Sequence, residues 1–184
     1  MANSLLGAAA PAFDEPLAML DACHGRIQAQ LHTLRRLAAW LPEYGVDEQA
    51  VQAVTAVLRY FTVAAPHHHD DEEKDVLPAL LLAAEGAGVE DREAARNVVA
   101  RILREHGEME VARKAMMIRL QGLLDQRWRE LPVAEVEGFA GLYERHIVLE
   151  TEQLLPLAGR LLSAGVQAEL GRAMAGRRGA ELPG

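Results

Sequence analysis

The sequence predicts an all-α protein, an antiparallel up-down four-helix bundle with a short extra C-terminal helix. Three observations carry this. The 184 residues are 50% apolar but only 4% aromatic, with many Ala, Leu, Glu and Arg and few β-branched runs, a mix that favours helix over sheet. Four long stretches repeat apolar residues in steps of three and four, the period of a helix buried along one face. Short breaks separate them, so successive helices fold back on one another. A chain of this length makes one domain with a full core. The expected division is a flexible N-terminal arm over 1–13, the bundle over 14–163, and a short helix and tail over 164–184.

The first helix starts at Asp14-Glu15-Pro16, with Asp as cap, acid in the first turn and Pro near the first helical position. Its inward line is Leu20, His24, Ile27, Leu31, Leu34, Ala38 and Leu41, which puts His24 in the core and leaves His32 solvated. Pro42-Glu43-Tyr44-Gly45 breaks it, and Asp47 caps the second helix. There the line passes through Val54, Leu58, Phe61, Ala65, His68, Glu72, Val76 and Leu80, and Pro66 predicts a kink or short break before His68. After the loop Glu85-Gly86-Ala87-Gly88, the third helix runs from about Asp91 to Arg127. Its line is Val99, Leu103, His106, Glu110, Arg113, Met117, Leu120 and Leu124, widened by Met109 and Met116, which are read as packing residues. Leu131-Pro132 ends that segment. The fourth, from about Val133, carries Phe139, Leu142, Tyr143, His146, Leu149, Glu150, Leu154, Leu157 and Leu161. Ser163 caps the short final helix, and Arg177-Arg178-Gly179 leads into a frayed tail.

One skeleton occurs twice. His68 is followed by Glu72 at +4 and Pro78 at +10, and His146 by Glu150 at +4 and Pro156 at +10, with Leu77 and Leu155 just before each proline. Residues four apart on a helix share a face, so each copy offers an imidazole beside a carboxylate. His24 and His106 lie on the inward lines of the other two helices. Burying unpaired carboxylates costs several kcal/mol or shifts their pKa, and a pair of divalent metals compensates them directly. The candidate metal ligands are therefore His24, His68, Glu72, His106, His146 and Glu150. Glu110 is a seventh, although it could pair instead with Arg113 or Arg104. His69 and Glu73 form a rival pair one residue round from His68 and Glu72, but the second copy and the apolar stripe both favour 68 and 72. His67 and His69 are read as surface residues, and Cys23 as an inert thiol off the stripe.

Imidazole and carboxylate without thiolate suit iron, manganese or zinc. Six or seven ligands are too many for one catalytic zinc and about right for two metals bridged by Glu72 and Glu150. Ferritin-like di-iron bundles use Glu-x-x-His at i, i+3, so that pattern fits poorly. Other functions are excluded. A net charge of −8 argues against a nucleic-acid partner. The apolar window Val76–Ala84 is too short to span a membrane and is broken by Pro78. One cysteine rules out an internal disulfide or a Cys-based zinc site. The apolar Leu5–Ala10 has no basic residue before it, so no secretory signal is read and a cytoplasmic location is expected. There is no nucleophile–base triad, phosphate loop or nucleotide fingerprint. The oligomeric state is left open, with a homodimer as one option.

His24, the run His68-His69-Asp70-Asp71-Glu72-Glu73 with Leu77-Pro78, Glu105-His106, and His146 to Glu150 with Leu155-Pro156 together resemble the hemerythrin-like, or HHE cation-binding, family over roughly residues 14–163. The resemblance implies a four-helix bundle around two non-haem iron ions, bridged by two carboxylates and an oxo or hydroxo group. It implies His24, His68, Glu72, His106, His146 and Glu150 as ligands. The oxygen-carrying members have His-x-x-x-His on the third helix, where this chain has His106 and Glu110. They also have Asp five residues after the fourth-helix His, where this chain has Glu150 at four. The set looks more like bacterial proteins that repair iron–sulfur centres and like iron- or oxygen-sensing domains. The repair proteins carry an N-terminal Cys-containing domain that this sequence does not show. The implied function is a metal-binding or sensing protein, rather than a dedicated enzyme, that binds or reacts with a small ligand such as O2, peroxide or NO. The alternatives are iron storage, delivery or iron–sulfur repair, and a bundle in which metal is only a structural staple.

Overall fold

A computed structural model describes residues 13–180, and among them there is helix but no strand. Helix α1 is Pro16–Tyr44. Residues 48–85 form one rod, α2, in which two π-helical turns, Tyr60–Ala64 and Glu72–Val76, interrupt the α-helix. Helix α3 is Val89–Leu124. Residues 133–161 form α4, with a π turn at Glu150–Leu154, and Ala164–Arg177 is α5. The expected arm lies outside the described residues except for Phe13, which packs against the apolar cluster that includes Leu20, Leu170 and Met174. Residues 181–184 of the expected tail also lie outside them.

The helix ends follow the sequence with two differences. Asp47 and Ser163 cap as predicted, accepting from the N–H of Ala50 at 2.8 Å and of Val166 at 3.3 Å. The cap of α1 is Glu15, which makes no side-chain cap bond, so Asp14 does not cap. Pro16 suffices there, because its fixed φ suits the first turn and its missing N–H is an orphan anyway. Pro42 lies inside the last turn of α1, and the helix ends three residues later at Gly45, whose φ of +68° is left-handed and favours glycine.

The break expected at Pro66 is a widened turn in a continuous helix. Each of the three π turns is followed at once by a residue and then proline: Ala65-Pro66, Leu77-Pro78 and Leu155-Pro156. Proline cannot donate to the carbonyl four residues back and its ring collides with it. Widening the turn moves that carbonyl aside. The residue before each proline then donates five residues back, Ala65 to Tyr60, Leu77 to Glu72 and Leu155 to Glu150. The Leu-Pro pair shared by both sequence copies thus marks a π turn that begins at the motif glutamate. Such turns concentrate at functional sites.

Helix α1 packs against α2 and α4, and α3 packs against the same two, so the long helices make a bundle around a shared core. That core is divided. A large cluster around Phe61, Phe139 and Tyr143 includes Met109, Met116 and Met117, as read from the sequence. Leu77, Leu80, Ile102 and Leu154 belong to a second, and Leu20, Val76 and Met174 to a third. Between the first and the other two, every long helix contributes buried polar side chains. Helix α5 folds over this level, where Arg177 and Arg178 ion-pair with Asp71, which is 0% exposed, and Arg177 also reaches Asp75 at 2.7 Å.

The inward line of α3 differs from the predicted one. Ala95, Val98, Val99, Ile102, His106, Met109, Met116, Leu120 and Leu123 are buried, whereas Leu103 is 47% exposed. The buried face steps from His106 to Met109 rather than to Glu110, one position round the helix.

Candidate metal centre

Six of the seven predicted ligands meet in the polar belt. His24 comes from α1, His68 and Glu72 from α2, His106 from α3, and His146 and Glu150 from α4. All are buried, none more than 4% exposed. Their positions follow from the local structure. Each i, i+4 pair stacks on one helical face, and the π turn starting at the glutamate lets the inward line continue past it to Val76 or Leu154.

The two carboxylates each divide their oxygens between two groups of imidazoles. Glu150 Oε2 is 2.7 Å from His24 Nε2 and 3.7 Å from His68 Nε2, while its Oε1 is 2.5 Å from His146 Nε2 and 3.8 Å from His106 Nε2. Glu72 Oε1 is 3.5 Å from His68 Nε2, and its Oε2 is 3.4 Å from His106 Nε2. Two overlapping donor sets result: His24, His68, Glu72 and Glu150, and Glu72, His106, His146 and Glu150.

Outer groups orient the rings. Glu73 Oε1 lies 2.7 Å from His106 Nδ1 and Glu105 Oε2 lies 3.0 Å from His146 Nδ1, so each Nδ1 is held by an outer carboxylate and each Nε2 faces the centre. Thr151 Oγ1 is 3.3 Å from His24 Nδ1. The Nε2 atoms of His106 and His146 are 2.9 Å apart. Two nitrogens bound at right angles to one ion at about 2.1 Å stand about 3 Å apart, so this spacing fits a shared cation. Both oxygens of Glu72, Oε1 of Glu150 and both ring nitrogens of His68 are buried without a hydrogen-bond partner. Orphaned buried donors and acceptors are rare, and this set fits a metal pair.

The electrostatics agree. Burial disfavours charge on Glu150, yet the imidazoles of His106, His146, His24 and His68 around it hold its carboxyl far below the usual range. Burial, and then the neighbouring charge of Glu150, push Glu72 up. Burial opposes charge on His106 too, but Glu150 and Glu72 beside it hold its pKa at about 10. His68 and His146 are raised in the same way against burial, chiefly by Glu72 and by Glu150 respectively. Positive charge on the imidazoles is thus favoured beside Glu150 and Glu72, and divalent metals would supply the same compensation.

Glu110 does not join this group. Its carboxylate binds Arg113 at 2.7 and 2.9 Å and Lys114 at 3.1 Å, and the side chain is 42% exposed. The face of α3 that reaches the centre simply does not include it. His69, read as a surface residue, does reach the centre, where it could form a third donor set with His106 and His146. Glu73, the carboxylate of the rival pair, orients His106, and Glu105 and Thr151 are orienting residues that the sequence did not single out for that role. The signal the sequence carries for them is that each directly adjoins a predicted ligand. Cys23 is buried beside His68 and its sulfur accepts from Arg26 at 3.2 Å.

Among the described residues no helix is long and apolar enough to cross a membrane. The model of the hemerythrin HHE cation-binding domain matches residues 15–158. The chain is also similar to an uncharacterized protein of Haemophilus influenzae, 30% identical over 166 residues, covering 90% of this chain and 91% of that protein. Fold, buried donor set and family match agree: the chain belongs to the hemerythrin HHE cation-binding family.

Proposed function

We propose that this chain is a non-haem di-iron protein that binds, senses or reacts with a small ligand such as O2, peroxide or NO. The observation that carries the reading is that Glu72 and Glu150 each turn one oxygen to each of two imidazole groups, the arrangement of a bridging carboxylate. His24 and His68 would hold one ion, His106 and His146 the other, and both carboxylates would be shared. An oxo or hydroxo group would complete the bridge. Manganese or zinc would satisfy the same donors, but mixed imidazole and carboxylate ligation suits iron. Bound iron would supply reversible one-electron chemistry and an affinity for diatomic ligands. The chain's own residues supply the rest: the belt excludes bulk water, and Glu73 and Glu105 fix the ring orientations. With every ligand buried, a molecule larger than a few atoms would have to open the bundle to reach it, which favours a small ligand over an organic substrate.

The same reading places the four long helices in an antiparallel up-down bundle over about 14–163, with α5 as the extra helix, in a cytoplasmic protein that binds neither nucleic acid nor membrane. The closed order of packing, α1 to α2 to α3 to α4 and back to α1, supports it. Iron delivery or iron–sulfur repair is the second reading, and a metal that only staples the bundle is the third. One experiment separates the first from the third. Iron-loaded protein is reduced with dithionite and exposed to oxygen, peroxide or NO while its visible spectrum is recorded. A reproducible spectral change at two irons per chain is expected. Two irons with no response to any of the three would overturn the small-ligand reading.

A further inference from the structure

Resting on the di-metal reading above, we infer that Asp71, Arg177 and Arg178 are positioning residues for Glu72. Through them α5 clasps the motif turn of α2 from outside the bundle and sets how firmly the shared carboxylate is presented to the metals.

The two carboxylates of the belt are held unequally. Glu150 has an imidazole nitrogen at 2.7 Å from one oxygen and at 2.5 Å from the other. For Glu72 the nearest nitrogens, on His68 and His106, stand at 3.5 and 3.4 Å, and neither oxygen has a hydrogen bond. Contacts of that length do not fix a side chain. Glu72 is placed instead by the backbone of the π turn it opens, Glu72–Val76.

Helix α5 holds that turn. Arg177 and Arg178 both bind the Asp71 carboxylate, Arg178 with one nitrogen on each oxygen, and Arg177 Nη2 binds Asp75 at 2.7 Å. Asp71 and Asp75, four apart, share the helical face turned to α5, while Glu72 between them faces the centre. Val76, at the end of the turn, packs in one apolar cluster with Leu170 and Met174 of α5. The second copy of the skeleton has no such clasp. It carries Leu149 and Gln153 at the places of Asp71 and Asp75. Leu149 is buried in an apolar cluster and Gln153 is exposed. A leucine serves there, so the skeleton does not require a buried carboxylate, whose desolvation is costly. A forked arginine–carboxylate pair adds direction that an apolar contact lacks. The clasp thus sits on the copy whose glutamate the imidazoles hold least.

The test is ferrous iron affinity, measured anaerobically by competition with a chelator, in wild type and Arg177→Ala/Arg178→Ala. Gly122→Ala, a change against Trp128 and about 24 Å along α3 from His106, controls for lost stability alone. The wild type should hold two irons per chain. The double variant should bind iron about 10–100-fold more weakly, the usual effect of losing an outer-shell partner. Gly122→Ala should bind as wild type even where its metal-free form melts lower. If the double variant does not fold, Asp75→Asn decides, because it removes one ion pair and leaves Asp71 covered. It should bind iron about threefold more weakly, the equivalent of one hydrogen bond. A smaller loss in the deciding variant, or an equal loss in Gly122→Ala, would make α5 a brace for the fold alone and overturn the inference while the metal pair stands. Fewer than two irons in the wild type would overturn the pair itself, and the role of the clasp with it.

Discussion

His24 and Glu150, 126 residues apart, meet at 2.7 Å in the buried centre and tie the first long helix to the fourth. Removing the imidazole leaves one oxygen of a fully buried carboxylate short of its closest partner. His24→Ala should therefore destabilise the metal-free protein by about 1–3 kcal/mol, the usual cost of an unsatisfied buried acceptor. Denaturant unfolding of the metal-free protein measures this, and an unchanged midpoint would show that the contact is incidental.

The metal-free protein should lose stability as pH rises from about 6.5 towards 10. Glu150 and Glu72, outweighing burial, hold His106 at about 10, above the roughly 6.5 of an unfolded histidine. A group whose pKa is raised on folding stabilises fully below its unfolded pKa, and that contribution fades as pH passes through the folded value. His68 and His146 are raised too and act in the same direction. Glu150 is lowered, so its contribution is lost only on acidification below the ordinary carboxylate range. Urea midpoints at several pH values, with and without metal, would show the slope in the metal-free form and a flatter profile in the loaded one. A midpoint that rises between pH 6.5 and 9.5 without metal would contradict the assignment.

Asp71 sits next to Glu72 and is closed off from solvent by Arg177 and Arg178. Leaving a buried carboxylate without its partners costs about 3–5 kcal/mol. Both arginines keep partial exposure, so the double variant Arg177→Ala/Arg178→Ala should lie at the lower end, about 3 kcal/mol. Thermal unfolding tests it. A loss under about 1 kcal/mol would mean that α5 does not anchor the motif helix.

Gly122 reverses an ordinary rule. Glycine to alanine inside a helix is normally stabilising by about 0.4–1 kcal/mol where the backbone allows it. Here a Cβ would run into the Trp128 ring, which also stacks under Arg119 at 4.4 Å. Gly122→Ala should destabilise by about 1–2 kcal/mol through overpacking. A stabilised variant would show that Trp128 swings clear without cost.

Much of the helical pattern was legible because apolar periodicity reports which face is buried. All seven inward positions of α1 are buried as read, from Leu20 to Leu41. On α3 the same method slipped by one position: two neighbouring stripes, one through Leu103 and Glu110 and one through Ile102 and Met109, look alike in sequence, and only packing chooses between them. The repeated Leu-Pro was visible as a spacing, but its cause, a π turn beginning at the glutamate, depends on hydrogen bonds that no residue type reveals. His69 was read as surface because one residue from a ligand usually means one face away. It fails here because the His69 ring lies over that of His106 at 4.0 Å and its Nε2 is buried. The Asp71–Arg177 pair spans 106 residues, and no local signal joins acidic and basic runs at that distance.

Sharing of Glu72 and Glu150 by two metals is tested by ferrous iron stoichiometry under anaerobic conditions in wild type, His24→Ala and Glu150→Ala. Two irons per chain are expected in the wild type, with a selective loss at one position in His24→Ala and weakened binding at both in Glu150→Ala. A Glu150→Ala protein that holds two irons as tightly as wild type, or a wild type that binds only a single ion, would contradict it.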